Sequence, residues 1–323
     1  MDNRTTKVNN KQANLVATRE IVISALAVGV GNKLPTNTEF RDRYQIGIGT
    51  IQRALNSLNE NNSLKTQSKG HLGRIVTHLD IGTCWNVANL NPIQIAVPIS
   101  GPVEIDVLNH QVTDQLNRLN IAHAVKHIGG SENRISGLID GSYDMAIVSR
   151  GVIKSSGYDL ANHKMMLLPS GSYYSKNRLV VVHRNNYKKE GKIKVAIDKK
   201  STDHKQLTLA EFPPSEQTEY IETDFQTIPA RLLEEEIDIG IWHVTNSPIP
   251  LNLAGLSAHY LTRKEAVETH ERVSAATIIV NKKRPELNSV LNAIKIDDLL
   301  QIQAEAILEE NRYARAFTEI HYE

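Results

Sequence analysis

The sequence predicts an α/β protein in two parts, a small basic helical head and a larger domain of two similar α/β lobes. Four observations carry that expectation. Residues 1–79 hold 11 Lys and Arg against 5 Asp and Glu, a net of +6, whereas the remainder holds 26 against 31, a net of −5. Apolar residues recur at helical spacing between residues 16 and 58. From residue 93 short strand-like runs alternate with helical ones. Finally, Leu138-Ile139-Asp140-Gly141-Ser142-Tyr143-Asp144-Met145-Ala146-Ile147-Val148 is echoed by Leu232-Leu233-Glu234-Glu235-Glu236-Ile237-Asp238-Ile239-Gly240-Ile241-Trp242, 94 residues on.

Whole-chain quantities bound the problem more loosely. A length of 323 residues suits two domains or one large one. With 40% hydrophobic and 23% charged residues, the chain is neither disordered nor fibrous in composition. Its one cysteine, Cys84, excludes an intramolecular disulfide framework and a cysteine-rich zinc module. Basic and acidic residues nearly cancel, 37 against 36, so only the positional split is informative: a module that meets a polyanion, joined to one that does not. The start, Met1 to Lys7, lacks the apolar core of a signal peptide, and the longest apolar run, Ile21 to Val30, is about half the ~20 residues needed to span a bilayer. A soluble, cytoplasmic protein without a membrane partner is expected.

In the head, residues 1–14 read as a flexible polar arm and Val16–Val28 as a helix stopped by Gly29 and Gly31. Leu34-Pro35-Thr36 opens a second, short helix, with Thr36 and Glu39 at capping-box spacing. A third begins near Thr50. Ile51, Ala54, Leu55 and Leu58 form its inner stripe, which leaves Gln52, Arg53, Asn56 and Asn59 outside. Strands at Leu64–Gln67 and Gly73–Thr77 flank a basic tip, Ser68-Lys69-Gly70-His71. This order is a winged helix-turn-helix, residues 15–79. A polar-faced helix suits the major groove of double-stranded DNA, and a basic hairpin suits the phosphates. Gln52 and Arg53 are the candidate base readers. Thr36, Arg41, Arg43, Thr50, Asn56, Lys65, Lys69, Gly70, His71 and Arg74 complete the candidate surface, although each also fits a plain solvated face.

The spacing Leu34-Pro35-Thr36-x-x-Glu39-Phe40, then Gly49-Thr50-Ile51-x-Arg53-Ala54-Leu55-x-x-Leu58 and the Gly70 wing, resembles the GntR-type winged helix over residues 16–77. Three positions depart from it. Thr38, Gly47-Ile48 and Gln52 stand where typical members carry arginine or Ser-Arg, so the resemblance does not supply an operator.

Residues 80–92 read as a linker. Strands are then expected at Ile93–Ile99, Ile121–Ile128, Asp144–Ser149, Lys164–Leu168, Leu179–His183, Lys192–Ile197, Glu219–Glu222, Asp238–Trp242 and Ala275–Asn281. Helices fit Val103–Leu119, Glu132–Asp140, His204–Phe212, Thr227–Glu235, Pro285–Ala293 and Asp297–Asn311. The echo implies two lobes, the second at about 186–272 with Leu179–Arg184 as the crossover strand, inside a domain of residues 93–323. The domain resembles the type 2 periplasmic-binding-protein fold used by solute-binding proteins and by LysR-type effector domains. Head and domain together are similar to the YhfZ family of transcriptional regulators, a resemblance that implies regulation and names no effector.

Open α/β lobes bind ligands at the carboxyl ends of strands, where helix N-termini offer free N–H groups. The corresponding loops supply Ser100, Gly101, Ser149, Arg150, Ser170, Ser172, Asp198, Ser201, Thr202, Asp224, Thr227 and His243. They suit a small polar or anionic effector. Arg150 can grip a carboxylate or phosphate bidentately, or simply pair with a surface acid. Ser201 and Thr202 can cap a helix, and His243 can end a core strand.

Catalytic signatures are not found. Gly29-Val30-Gly31 and Gly47-Ile48-Gly49 lack the third glycine of a dinucleotide loop, and there is no Walker, HExxH or GxSxG pattern. His123 and His127 have no neighbouring carboxylate to complete a metal site, Cys84 has no local base, and Glu234–Glu236 reads as a solvated helix end. The expectation is a homodimeric, non-enzymatic regulator that needs no cofactor or metal. A binding protein whose degenerate head no longer reads DNA is the alternative, and an enzyme acting on a small anion in the cleft is a third reading.

Overall fold

A computed structural model describes residues 3–69, 73–155, 157, 159–160, 162–187, 191–244 and 251–314. The chain forms two compact units. One holds residues 1–94, 112–124 and 280–295, and the other holds residues 95–111, 125–279 and 296–323.

The first unit opens with α1 (Asn3–Val28), β1 (Lys33–Leu34), α2 (Asn37–Tyr44), α3 (Ile48–Glu60), β2 (Leu64–Ser68), β3 (Arg74–Leu79) and α4 (Ile81–Val87). Ala17, Ile21, Val22, Ala25 and Leu26 of α1 are fully buried, as are Ile51, Ala54 and Leu58 of α3, so the two apolar stripes form the core of the head. At Gly29, φ is 77° and the N–H reaches Ala25 O at 2.8 Å, a left-handed stop that glycine adopts without a Cβ penalty. The capping box on α2 is complete: Thr36 N–H donates to Glu39 Oε2 at 2.6 Å, and Glu39 N–H to Thr36 Oγ1 at 3.2 Å. The wing is a three-stranded antiparallel sheet in the order β1-β3-β2.

Four details differ from the sequence expectation. Helix α1 begins at Asn3, so the polar stretch expected as an arm continues the helix. Lys33 and Leu34 pair with Ile75 and Arg74 as a third wing strand too short to show a period-2 pattern. Helix α3 starts at Ile48, because Gly47 is its N-cap and Gly49 is tolerated in the first turn. Residues 81–87 of the expected linker are a helix, capped by Asp80 Oδ1 on Thr83 N–H at 2.9 Å, with Cys84 and Trp85 buried. A Cβ on Gly82 would lie 1.9 Å from Leu119 O, so α4 sits hard against that backbone. Arg284 lies 5.4 Å over the Trp85 ring, and α11 (Leu287–Ala293) ties down α1 through Ser289 Oγ to Leu26 O at 2.6 Å. Burial pushes the Cys84 thiol up to about 12, which leaves it unreactive.

The second unit carries two five-stranded sheets of matching order. The first is β5-β4-β6-β13-β7, from β4 (Ile93–Val97), β5 (His123–His127), β6 (Met145–Ser149), β7 (Met165–Leu167) and β13 (Ala276–Val280). The second is β10-β9-β11-β8-β12, from β8 (Leu179–Arg184), β9 (Ile193–Ile197), β10 (Thr218–Glu222), β11 (Ile239–His243) and β12 (Leu256–Tyr260). Strand for strand the orders correspond, and the sequence echo falls on the equivalent strands β6 and β11. Leu179–Arg184, expected as the crossover strand, is β8. It is an interior strand of the second sheet, antiparallel to both β11 and the edge strand β12, so that sheet takes in residues before 186. The sequence reading also lacked β12, α7 (Arg150–Ser155) and α10 (Lys264–Val273). Helices α5 (Val103–Arg118), α6 (Ser131–Asp140), α8 (Thr202–Glu211), α9 (Ile228–Leu233) and α12 (Leu299–Ala314) complete the described set. Among the described residues no helix is long and apolar enough to cross a membrane.

Candidate nucleic-acid interface and ligand cleft

The amphipathic pattern of α3 leaves Ile48, Arg53, Asn56 and Asn59 exposed and Gln52 half-buried. Arg53 Nη2 donates to Thr50 Oγ1 at 3.0 Å, and Gln52 Nε2 donates to Asn56 Oδ1 at 2.9 Å, so the four side chains form two pairs one helical turn apart. Glu60, at the last position of α3, is the helix's one acid, and the rest of the outer face is open to a polyanion. Arg43, Lys65 and Lys69 are exposed, and Lys69 N–H closes the hairpin on Gly73 O at 2.7 Å. Arg41 is already paired with Asp42 at 2.8 Å, Arg74 Nη1 is held by Thr66 Oγ1 at 2.9 Å, and the Thr36 hydroxyl is taken by the cap. Gly70 and His71 lie outside the described residues.

In the second unit, strand ends and helix starts from both lobes enclose a cavity of about 600 Å³. That size suits a small metabolite. Seven of the twelve expected ligand residues line it: Ser100, Gly101, Asp198, Ser201, Asp224, Thr227 and His243. Several are engaged. Ser100 Oγ donates to Asp106 at 2.7 Å, and Asp198 accepts the Lys200 and Phe225 N–H groups at 2.9 and 3.2 Å. Asp224 pairs with Lys200 at 3.0 Å, Ser201 caps α8, and Thr227 Oγ1 donates to Asp224 O at 2.8 Å.

The other five do not line the cavity. Arg150 is exposed at the start of α7, with its N–H on Ala275 O at 2.7 Å. Ser149 is fully buried and supports Asp203 from behind. Ser170 is exposed, whereas Ser172 is buried, donates to Pro169 O at 2.6 Å and accepts Ala276 N–H at 2.9 Å. Thr202 Oγ1 bridges the lobes to Glu132 Oε1 at 2.6 Å.

Three buried titratable residues that line the cavity, Arg134, Asp203 and His204, were not among the expected residues. Arg134, only 3% exposed, spends three of its N–H groups on Ile147 O (2.9 Å), Ile128 O (2.6 Å) and Tyr173 Oη (2.8 Å). Asp203, equally buried, accepts from Ser149 and feels the Arg134 charge, yet burial pushes its carboxyl up to about 6. His204 is locked: Asp198 N–H donates to Nδ1 at 3.0 Å and Nε2 faces Ile241 O at 3.0 Å, while burial pushes its pKa down and keeps the ring neutral. Between the lobes His243 Nε2 meets Glu104 Oε1 at 2.8 Å, both residues being fully buried. Burial raises the Glu104 carboxyl, but the His243 hydrogen bond and charge and the Ser175 N–H outweigh it and hold it below the usual range. Gln303 of α12 donates to Glu104 O at 2.7 Å and to Ser172 O at 2.9 Å, which fixes the start of α5.

A signal for these residues exists in the sequence. Ser131, Arg134, Glu104 and Asp203 each stand four residues before a buried apolar residue of the same helix, Ile135, Leu138, Leu108 and Leu207. A polar residue on the inner stripe of a helix's first turn therefore faces the strand ends.

Comparison with known proteins agrees with this architecture. The family profile of the YhfZ C-terminal domain matches residues 80–314, and a helix-turn-helix domain profile matches residues 29–76. The YhfZ protein of Escherichia coli (strain K12) is 24% identical over 232 residues, 72% of this chain and 75% of its own. The crystal structure of YhfZ from Shigella flexneri superposes with a TM-score of 0.53 at 21% identity, covering 75% of this chain and 98% of that one. A periplasmic substrate-binding protein of an ABC transporter from Coxiella burnetii gives 0.43 at 14% identity, covering 68% of this chain and 98% of that one.

Proposed function

We propose, from the premise that this chain belongs to the YhfZ C-terminal-domain family and carries a helix-turn-helix head, that it is a transcription regulator whose cleft senses a metabolite. The head reads DNA in the manner of a GntR-type winged helix. Arg53 and Gln52 address base edges, and Thr50, Arg43, Lys65, Lys69 and Arg74 hold phosphates. The effector is a small polar or anionic molecule bound between the lobes. A lobe closure that favours one arrangement of the head then couples binding to DNA affinity. The protein works as a cytoplasmic homodimer, two heads reading half-sites about one DNA turn apart, and it returns its ligand unchanged.

The observation that carries this reading is the outer face of α3, polar from Thr50 onward and without an acid before Glu60, beside an exposed basic hairpin. Selection from a random duplex pool at two salt concentrations tests it. An enriched palindrome supports a sequence-reading dimer. Retention without enrichment that vanishes at higher salt marks bare electrostatic affinity, and no retention favours the binding protein with a degenerate head. The alternative draws its support from Ile48, 44% exposed at the first position of α3, where an arginine would reach a phosphate.

A further inference from the structure

Resting on the reading of the cavity as the effector site, we infer that its ligand is an amino-acid-type zwitterion whose ammonium group sits on Asp203. Three residues that line the cavity each carry a buried polar atom without a partner: Asp203 Oδ1, Ser131 Oγ and His243 Nδ1. Asp203 and Ser131 are 3% exposed and His243 is 1% exposed, so water does not compensate them freely. A buried acceptor left without a donor is destabilising, a deficit that a ligand donor removes.

The Asp203 carboxyl sets the ligand's chemistry. Asp203 Oδ1 is a carboxylate acceptor, and His243 Nε2 is already engaged by Glu104 Oε1. The Asp203 oxygen calls for a donor. The cavity's cations are committed: Arg134 to two carbonyls and Tyr173, and Lys200 to Asp224. A purely anionic ligand would face the Asp203 carboxylate with no unengaged cation opposite it, whereas an ammonium group forms charge-assisted hydrogen bonds there.

The other end of the site accepts one acidic group. Helix α6 begins at Gly130, φ 75°, with no side-chain cap on its first turn, and Ser131 Oγ stands unpartnered beside those N–H groups. A Cβ on Gly130 would lie 3.0 Å from Lys200 O, so the starts of α6 and α8 approach closely. One small molecule therefore reaches both the α6 N-terminus and Asp203.

The test uses the full chain. Free amino acids, their desamino carboxylic acids and a set of dicarboxylates are titrated by calorimetry and by the fluorescence of Trp242, which lines the cavity. The inference predicts that at least one amino acid binds, that its desamino partner binds about 10- to 100-fold more weakly, and that Asp203→Asn imposes a similar loss on the amino acid. The desamino comparison on the wild type stands even if the variant fails to fold. Equal binding of desamino acids or dicarboxylates, unaffected by Asp203→Asn, overturns the ammonium assignment and leaves the cavity as effector site. Absence of binding across the whole panel overturns both.

Discussion

Replacing Asp203 by asparagine should stabilise the free protein at neutral pH while removing its ligand. The carboxyl is raised from 3.8 to about 6 by burial, with Ser149 and Arg134 pulling it only part of the way back. Between those two values the folded chain keeps a proton that the unfolded chain has released. Stability therefore falls as pH rises from about 4 through about 6. Above that window a difference of about 2 in pKa corresponds to about 3 kcal/mol of lost stability. Asparagine copies the shape of the neutral acid and can still accept from Ser149, so the variant escapes that cost. Urea unfolding at pH 7.5 should show a gain of up to about 3 kcal/mol, shrinking to about 1 kcal/mol at pH 4.5. A variant less stable than wild type at pH 7.5, or a gain that does not change with pH, would refute the placement of Asp203 as an uncompensated buried acid.

Other expectations are independent of the ligand. Lys69→Ala should weaken binding to every duplex alike and lower the salt slope by about 1, whereas Arg53→Ala should relax preference at one or two base positions, both read from titrations across salt. Gly82→Ala should destabilise the first unit by several kcal/mol, about 3 or more by thermal unfolding, because its Cβ would sit 1.9 Å from Leu119 O. Arg134→Met should cost about 3–5 kcal/mol in urea, since it leaves two carbonyls and Tyr173 Oη without their donor and Asp203 without its cation.

Much of this architecture is legible in the sequence because its elements are strongly periodic. The stripe Ile51, Ala54, Leu55, Leu58 predicts the buried face of α3, and the Thr36–Glu39 spacing predicts a cap that the hydrogen bonds complete. The echo at 138–148 and 232–242 anticipates two lobes whose sheets share one strand order. Weak local signals explain the misses. Lys33–Leu34 is too short for a pattern, and the Asn-rich stretch near residue 86 hides a helix whose stability comes from tertiary burial of Cys84 and Trp85. Reading loops by their hydroxyl and glycine content found the mouth of the cavity but chose Arg150, which faces solvent. Arg134 and Asp203 stand in the first turns of α6 and α8, where the sequence reading took its candidates from the preceding loops.

The most direct test of the account is the affinity of the full chain for the selected duplex and for a scrambled duplex of the same length, measured across a range of salt. The account predicts parallel declines of log affinity with log salt, displaced by at least about three decades in favour of the selected sequence. Coincident lines would mean that the head meets DNA only as a polyanion, and would contradict a sequence-reading regulator.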